Sequence, residues 1–137
     1  MDYLVDSNVL SEPIHATPAR SVIDWLTRHE FSAVVTPIIL GELEFGILRL
    51  PAGKRRTRLT EWFAAGPRNM RILDVDRETA RIWATLTATL AAKGRTMPTA
   101  DGLIAASALQ HGLTLATRNI RDYRYAGVRL VNPFADR

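Results

Sequence analysis

Asp6, Glu42 and Asp101 are far apart in the chain but alike in setting, each standing where an apolar element ends or a helix presents small residues. Asp6 follows Tyr3-Leu4-Val5. Glu42 lies in Pro37-Ile38-Ile39-Leu40-Gly41-Glu42, and Asp101 in Pro98-Thr99-Ala100-Asp101-Gly102. Carboxylates do not share a site freely, because a pair about 4 Å apart repels by about 4 kcal/mol at an effective dielectric near 20. Taken singly, each acid has a structural use: a carboxylate in a helix's first turn, such as Asp101, gains roughly 0.3–1 kcal/mol from the helix dipole. Asp6 or Ser7 can cap the helix that follows. If the three converge, they require a cation. An oxygen-only donor set suits magnesium or manganese, hard ions that keep several waters and bind substrate phosphate. Such an ion lowers the pKa of a water and neutralises charge on a phosphodiester under attack.

The elements that must position these acids follow from hydrophobic periodicity. Strand-like runs fall at Tyr3–Val5, Ala33–Thr36, Arg71–Val75, Leu113–Thr117 and Val128–Val131, with helical patterns between them. One helix is predicted from about Asp76 to Lys93, with Trp83, Leu86 and Leu90 on one stripe and Gly94 as its stop. Another spans about Pro18 to His29, with Val22, Ile23 and Leu26 inward. The helices carrying Glu42 and Asp101 are each entered through a proline. Alternation of strand and helix predicts a mainly parallel sheet covered on both faces. In such sheets ligands bind beyond the carboxyl ends of the strands, where Asp6 stands. Glu42 shares a helical face with Ile38, Phe45 and Gly46, while Glu44 points the other way. Gly46 costs about 1 kcal/mol of helix propensity relative to Ala, which suggests a close neighbour or substrate there.

Composition narrows the class. A chain of 137 residues, 47% apolar and 23% charged, is one ordinary globular domain over residues 1–137. Without cysteine, disulfides and thiolate metal sites are excluded, and any metal must bind oxygen or imidazole. No apolar run is long enough to span a membrane. The acid at Asp2 and the lack of a basic stretch before the first apolar segment argue against a secretory signal, so a cytoplasmic location is expected. The net charge of +4 favours polyanionic partners. Lys54 and Lys93 are the only lysines, and arginine suits phosphate because its planar fork holds two oxygens. The run Lys54-Arg55-Arg56-Thr57-Arg58 reads as a solvated face. His15, His29 and His111 lack ligand-like spacing, and Trp25, Trp62 and Trp83 read as packing residues.

The stretches LVDSNVLSE, GELEFG, PTADGLIAASALQHG and ATRNIRDY followed by GVRLVNPF, in that order, resemble the PIN domain, in particular the ribonuclease toxins of VapBC-type toxin–antitoxin pairs. The likeness covers essentially the whole chain. It implies a three-layer α/β/α domain with a central, mainly parallel twisted sheet. It implies a magnesium-dependent endoribonuclease, with manganese as a substitute ion, a homodimer, and an antitoxin that inserts a C-terminal segment at the active site. Carried over residue by residue, the family's first acid falls on Asp6, its helical glutamate on Glu42 and its third acid on Asp101. Asp6 and Asp101 would ligate the metal directly, with Glu42 positioning water or a second ion. The fourth acid commonly closes a Thr-Arg-Asp stretch, but this chain reads Thr117-Arg118-Asn119. Asn119 lacks the charge, though its carbonyl can still accept a hydrogen bond, and Asp122 one turn later is the candidate substitute. Arg118 is the candidate RNA contact. Phe134 in Asn132-Pro133-Phe134 stands where tryptophan is often found, a packing change.

Two classes of function follow. The first is an endoribonuclease toxin acting through a metal-activated water on RNA read by its shape and single-stranded loops. The second is a catalytically weakened PIN-fold module that binds RNA or protein without cutting, motivated by Asn119. A receiver-type phosphoacceptor would also suit an alternating α/β chain, but no central strand ends in a suitable phosphoacceptor aspartate.

Overall fold

Leu4, Val5, Val34, Val35 and Leu115 are almost completely buried, as expected of strands covered on both faces. The computed structural model describes residues 2–135, so both ends of the 1–137 domain span lie outside the described residues. Strands β1 (Tyr3–Val5), β2 (Ala33–Val35), β3 (Arg71–Ile72), β4 (Thr114–Ala116) and β5 (Leu130–Val131) form one sheet in the order β3-β2-β1-β4-β5. Every pairing in it is parallel. The helices between are α1 (Ser7–Leu10), α2 (Arg20–Arg28), α3 (Pro37–Leu48), α4 (Lys54–Ala65), α5 (Arg77–Ala92), α6 (Thr99–His111) and α7 (Ile120–Tyr123). No helix among the described residues is long and apolar enough to cross a membrane.

The strand order explains where a site can form. The chain steps outward from β1 through β2 to β3, then returns to the other side of β1 to lay down β4 and β5. Because parallel crossovers are right-handed, the outward and returning helices cover opposite faces and diverge above the β1–β4 pair. A crevice opens at that switch point. Asp6 and Thr117, each the residue just beyond its strand, border it.

Of the predicted stripes, Val22 and Leu90 are buried while Ile23, Leu26, Trp83 and Leu86 are partly so. Ile39, Leu43 and Ile47 of α3 turn inward, while Ile104, Ala105 and Ala108 of α6 bring that helix close to the sheet. Each large aliphatic side chain buried this way contributes roughly 1.5–3 kcal/mol. Trp25 packs edge-on against Tyr3 at 5.1 Å and lies 4.5 Å from His29, so this tryptophan and this histidine serve the core. Lys54, Arg55 and Arg58 on α4 are exposed, whereas Leu59 and Phe63 anchor that helix.

Differences from the expected boundaries fall at the margins. The runs predicted at Arg71–Val75 and Val128–Val131 shorten to two-residue strands, because each lies at a sheet edge with a partner on one side only. Pro37 opens α3 as its first residue, with Thr36 accepting a hydrogen bond from Ile39 N. Pro98 instead sits one place earlier, as the N-cap of α6. Apart from its chain neighbours and the adjoining helix backbone, no described atom stands within 4 Å of where a side chain on Gly46 would begin, so of the two expectations there, a close neighbour or a substrate, the close neighbour is not found. That face of α3 borders an open cleft instead.

Helices α5 and α6 run antiparallel: Gln110, near the end of α6, donates from Nε2 to Asp76 Oδ1, the N-cap of α5, at 3.1 Å. Gly102 makes the close approach possible, since a Cβ there would lie 2.9 Å from Trp83 Cδ1 and Nε1. Substituting Gly102→Ala should lower the stability to urea by a net of up to about 2 kcal/mol, the overpacking cost less the regained helix propensity. An unchanged unfolding midpoint would show that the Trp83 ring gives way freely.

Candidate functional site

The local sequence positions Asp6 twice over. As the N-cap of α1 it accepts a hydrogen bond from Ser7 N at Oδ1, 2.8 Å away. Its other oxygen, Oδ2, accepts from Thr117 Oγ1 at 2.8 Å and from Asn8 Nδ2 at 3.4 Å. Asp6 is only 4% exposed and Thr117 fully buried, so this bond joins the ends of β1 and β4 in a dry setting. Two further bonds tie the loop after β4 to the site. Arg118 N donates to Asn8 Oδ1 at 3.0 Å, and Asn119 N to Thr117 Oγ1 at 3.0 Å.

Glu42 reaches the same crevice from α3, where Ser7 Oγ donates to its Oε1 at 3.2 Å. Asp101 arrives from the first turn of α6. The three carboxylates sense one another. Burial raises the Asp6 carboxyl above its ordinary range, and its hydrogen bonds from Thr117, Ser7 and Asn8 only partly offset this. Burial also raises Glu42, with the charges of Asp6 and Asp101 adding and the Ser7 bond opposing. Asp101 is raised first by burial and then by the charge of Asp6, with Asp122 adding a smaller contribution.

Tyr123, 1% exposed, completes the enclosure from α7. Its hydroxyl approaches Asp101 closely enough to lower that acid's pKa, yet too loosely for a hydrogen bond of ordinary geometry. Burial and the surrounding charges of Asp6, Asp101 and Glu42 push the tyrosine itself far above its ordinary range, so it stays neutral.

Asp6, Glu42 and Asp101 are thus near enough for charge to act between them, although Glu42 and Asp101 line different clefts, and the other candidates flank them. Asn119 lines a cleft of about 430 Å³ together with Ser7, Asn8 and Glu42. Asp122 lines a separate cleft of about 340 Å³ together with Asp101. The two candidates for a fourth acid therefore lie on opposite flanks. Arg118 is exposed, with its guanidinium 4.5 Å from the centre of the Phe134 ring. Ser7, Asn8, Thr117 and Tyr123 do not stand out as site residues by type or spacing, apart from Ser7 as a possible cap. The signal for Thr117 is its place immediately after β4, matching that of Asp6 after β1.

The donor set fits a hard divalent cation. It offers carboxylate oxygen, and none of the three acids has a cationic partner in an ion pair among the described residues. No three of the described acids and histidines stand close enough together to hold a metal ion between them. Carboxylates coupled through charge rather than contact suit an ion that retains several waters.

Residues 3–128 match the family model of the PIN domain. The chain belongs to the PIN-domain family. It is 35% identical to VapC ribonuclease Y4jK of Sinorhizobium fredii, over 96% of each chain. It is also 35% identical to Toxin FitB of Neisseria gonorrhoeae, over 97% of this chain and 99% of that one. Among solved structures, FitAcB from Neisseria gonorrhoeae superposes with a TM-score of 0.91 at 33% identity, covering 98% of this chain and 99% of that one.

In metal-free protein, Asp101→Asn should raise the melting temperature at neutral pH. A raised folded-state pKa means that the unfolded chain releases its proton first, so stability falls as pH rises from about 4 through the folded-state value. The gain from the substitution should therefore shrink towards pH 4. Thermal unfolding from pH 4 to 8 tests this, and a variant less stable than the parent at pH 7 would refute the raised proton affinity of Asp101.

Proposed function

We propose that this protein is a divalent-cation-dependent endoribonuclease that hydrolyses RNA phosphodiester bonds and acts as the toxin of a toxin–antitoxin pair. The observation that carries this reading is that Ser7 bridges Asp6 and Glu42 beyond the end of β1 while the charge of Asp6 acts on both Glu42 and Asp101, without a neutralising side chain among the described residues. Full-length likeness to one relative named a ribonuclease and another named a toxin supports it.

Asp6 and Asp101 would hold magnesium, or manganese in its place. When bound, the cation supplies a water of lowered pKa and neutralises charge on the phosphodiester. The remaining work falls to the chain. Thr117, Ser7 and Asn8 lock the Asp6 carboxylate in one orientation. Ser7 engages Oε1 of Glu42, leaving Oε2 to orient the attacking water and accept its proton, a role suited to a carboxyl with a raised pKa. Tyr123 keeps the Asp101 side of the crevice dry. Asp122, which acts on Asp101 through its charge, supplies the remaining negative charge in place of Asn119. Arg118 holds a substrate phosphate from the loop after β4. An antitoxin covering the crevice and pairing of two copies of this chain belong to the same proposal.

A second reading, a weakened module that binds RNA or protein without cutting, draws on one observation. Asn119 is neutral, and its side chain makes no capping hydrogen bond at α7.

Cleavage of structured RNA in magnesium or manganese separates the two. The parent should cut, chelation should stop it, and Asp6→Asn or Asp101→Asn should reduce the rate by at least about 100-fold. RNA bound with parent affinity by all three proteins but cut by none would establish the binding module. Cleavage surviving in Asp101→Asn or in chelator would exclude the metal site.

A further inference from the structure

The second flank of the crevice holds chemistry that the hydrolytic site does not use. A cleft of about 340 Å³ begins at Asp101 and Asp122 and extends past Arg95, Arg121, Arg124 and Tyr125. None of these three arginines forms an ion pair among the described residues, in contrast to Arg71, which meets Asp2 at 2.6 Å. Tyr125 is 51% exposed, although it is a large aromatic residue beside the site. The Arg95 guanidinium lies 3.8 Å from the centre of its ring and that of Arg124 4.8 Å.

Local structure builds this arrangement. Helix α5 ends in a Schellman motif: Gly94 has φ +73°, Arg95 N donates to Leu90 O at 2.9 Å, and Gly94 N donates to Ala91 O at 3.0 Å. That turn aims the chain back towards α6 and sets Arg95 over Tyr125. Tyr123 is buried beside Asp101, so the residues just after it, Arg124 and Tyr125, are carried to the cleft. Hydrogen bonding to Arg95 and the charge of Arg124 hold the Tyr125 hydroxyl below its ordinary range, consistent with two cations acting on one ring.

We propose that this cleft is a nucleotide subsite, in which a single-stranded stretch of RNA next to the cleaved bond lays its phosphates on Arg95, Arg121 and Arg124 and stacks a base on the Tyr125–guanidinium platform. Guanidinium forks bind phosphate oxygens in pairs, and aromatic rings and guanidinium planes are the surfaces on which unpaired bases stack. Three cations in the same cleft offset the two carboxylates at its inner end, so a polyanion can approach the acids. The inference rests on the ribonuclease reading for its substrate, but it concerns binding and can be tested without cleavage.

The test uses the full chain in chelator, where RNA is bound and not cut, with a fluorescein-labelled single-stranded oligoribonucleotide of mixed sequence. Tyr125→Ala should weaken binding by roughly 5- to 150-fold, the range for loss of one stacked base. Arg95→Gln and Arg124→Gln should weaken it and flatten the slope of log affinity against log salt by about 0.7 for each phosphate no longer neutralised. Arg77→Gln removes the same charge from the opposite end of α5 and should change affinity less than twofold. With magnesium present, the cleft variants should raise KM more than they lower kcat. Reduced affinity in the cleft variants with no cleavage by the parent would retain the subsite and refute the nuclease. Parent-like affinity in all three cleft variants would overturn the subsite, as would loss of antitoxin binding with RNA affinity intact, which would make the cleft a protein-docking surface.

Discussion

The hydrogen bond from Thr117 Oγ1 to Asp6 Oδ2 holds together the two strands whose outgoing connections part company. Both residues sit at the one place in a β3-β2-β1-β4-β5 sheet where the chain leaves neighbouring strands in opposite directions. A buried carboxylate there needs donors, because desolvation of an unpaired charge costs several kcal/mol. Ser7 N, Asn8 and Thr117 provide them, and each comes from a residue adjoining β1 or β4. Satisfying Asp6 therefore also fixes the geometry of both loops. Glu42 and Asp101 are then brought to a carboxylate that is already immobile.

That arrangement sets local stability against chemical use. Burial raises the proton affinity of all three acids, the charge of Asp6 adds to this at Glu42 and Asp101, and hydroxyls, an amide and a neutral tyrosine surround them rather than cations. Charge left uncompensated by the chain is what a divalent ion would neutralise. Cations are instead collected outside the acid crevice, on the loop after α5 and around α7, where a polyanionic strand would run. Small residues on α6 matter for the same reason. Gly102 lets α5 approach, and the end of α5 in turn sets Arg95 beside the site.

Much of the architecture was legible in the sequence because its signals are local. Apolar runs marked all five strands, Gly94 marked the end of α5, and Pro37 marked the start of α3. The edge strands were overextended, since periodicity reports burial but cannot see that an outer strand has a partner on one side only. Gly46 shows a related limit: helix propensity records the absence of a side chain but not whether protein or an open cleft lies opposite. Asp6, Glu42 and Asp101 stood out through their settings and through the PIN resemblance. Ser7, Asn8, Thr117 and Tyr123 did not, because serine, asparagine, threonine and tyrosine occur throughout such chains and acquire a role only from their partners.

By itself the sequence determined the alternation of strands and helices, the exclusion of thiolate from any metal site and the excess of arginine over lysine, because composition and short-range periodicity decide these. Only the tertiary structure decided which carboxylates feel one another's charge, that Asn119 and Asp122 line different clefts, and that Arg95 and Tyr125, separated by the whole of α6, β4 and α7, form one stack. Those relations depend on strand order and on the angle at which each helix leaves the sheet. Both are set by long-range packing, which no window of neighbouring residues contains.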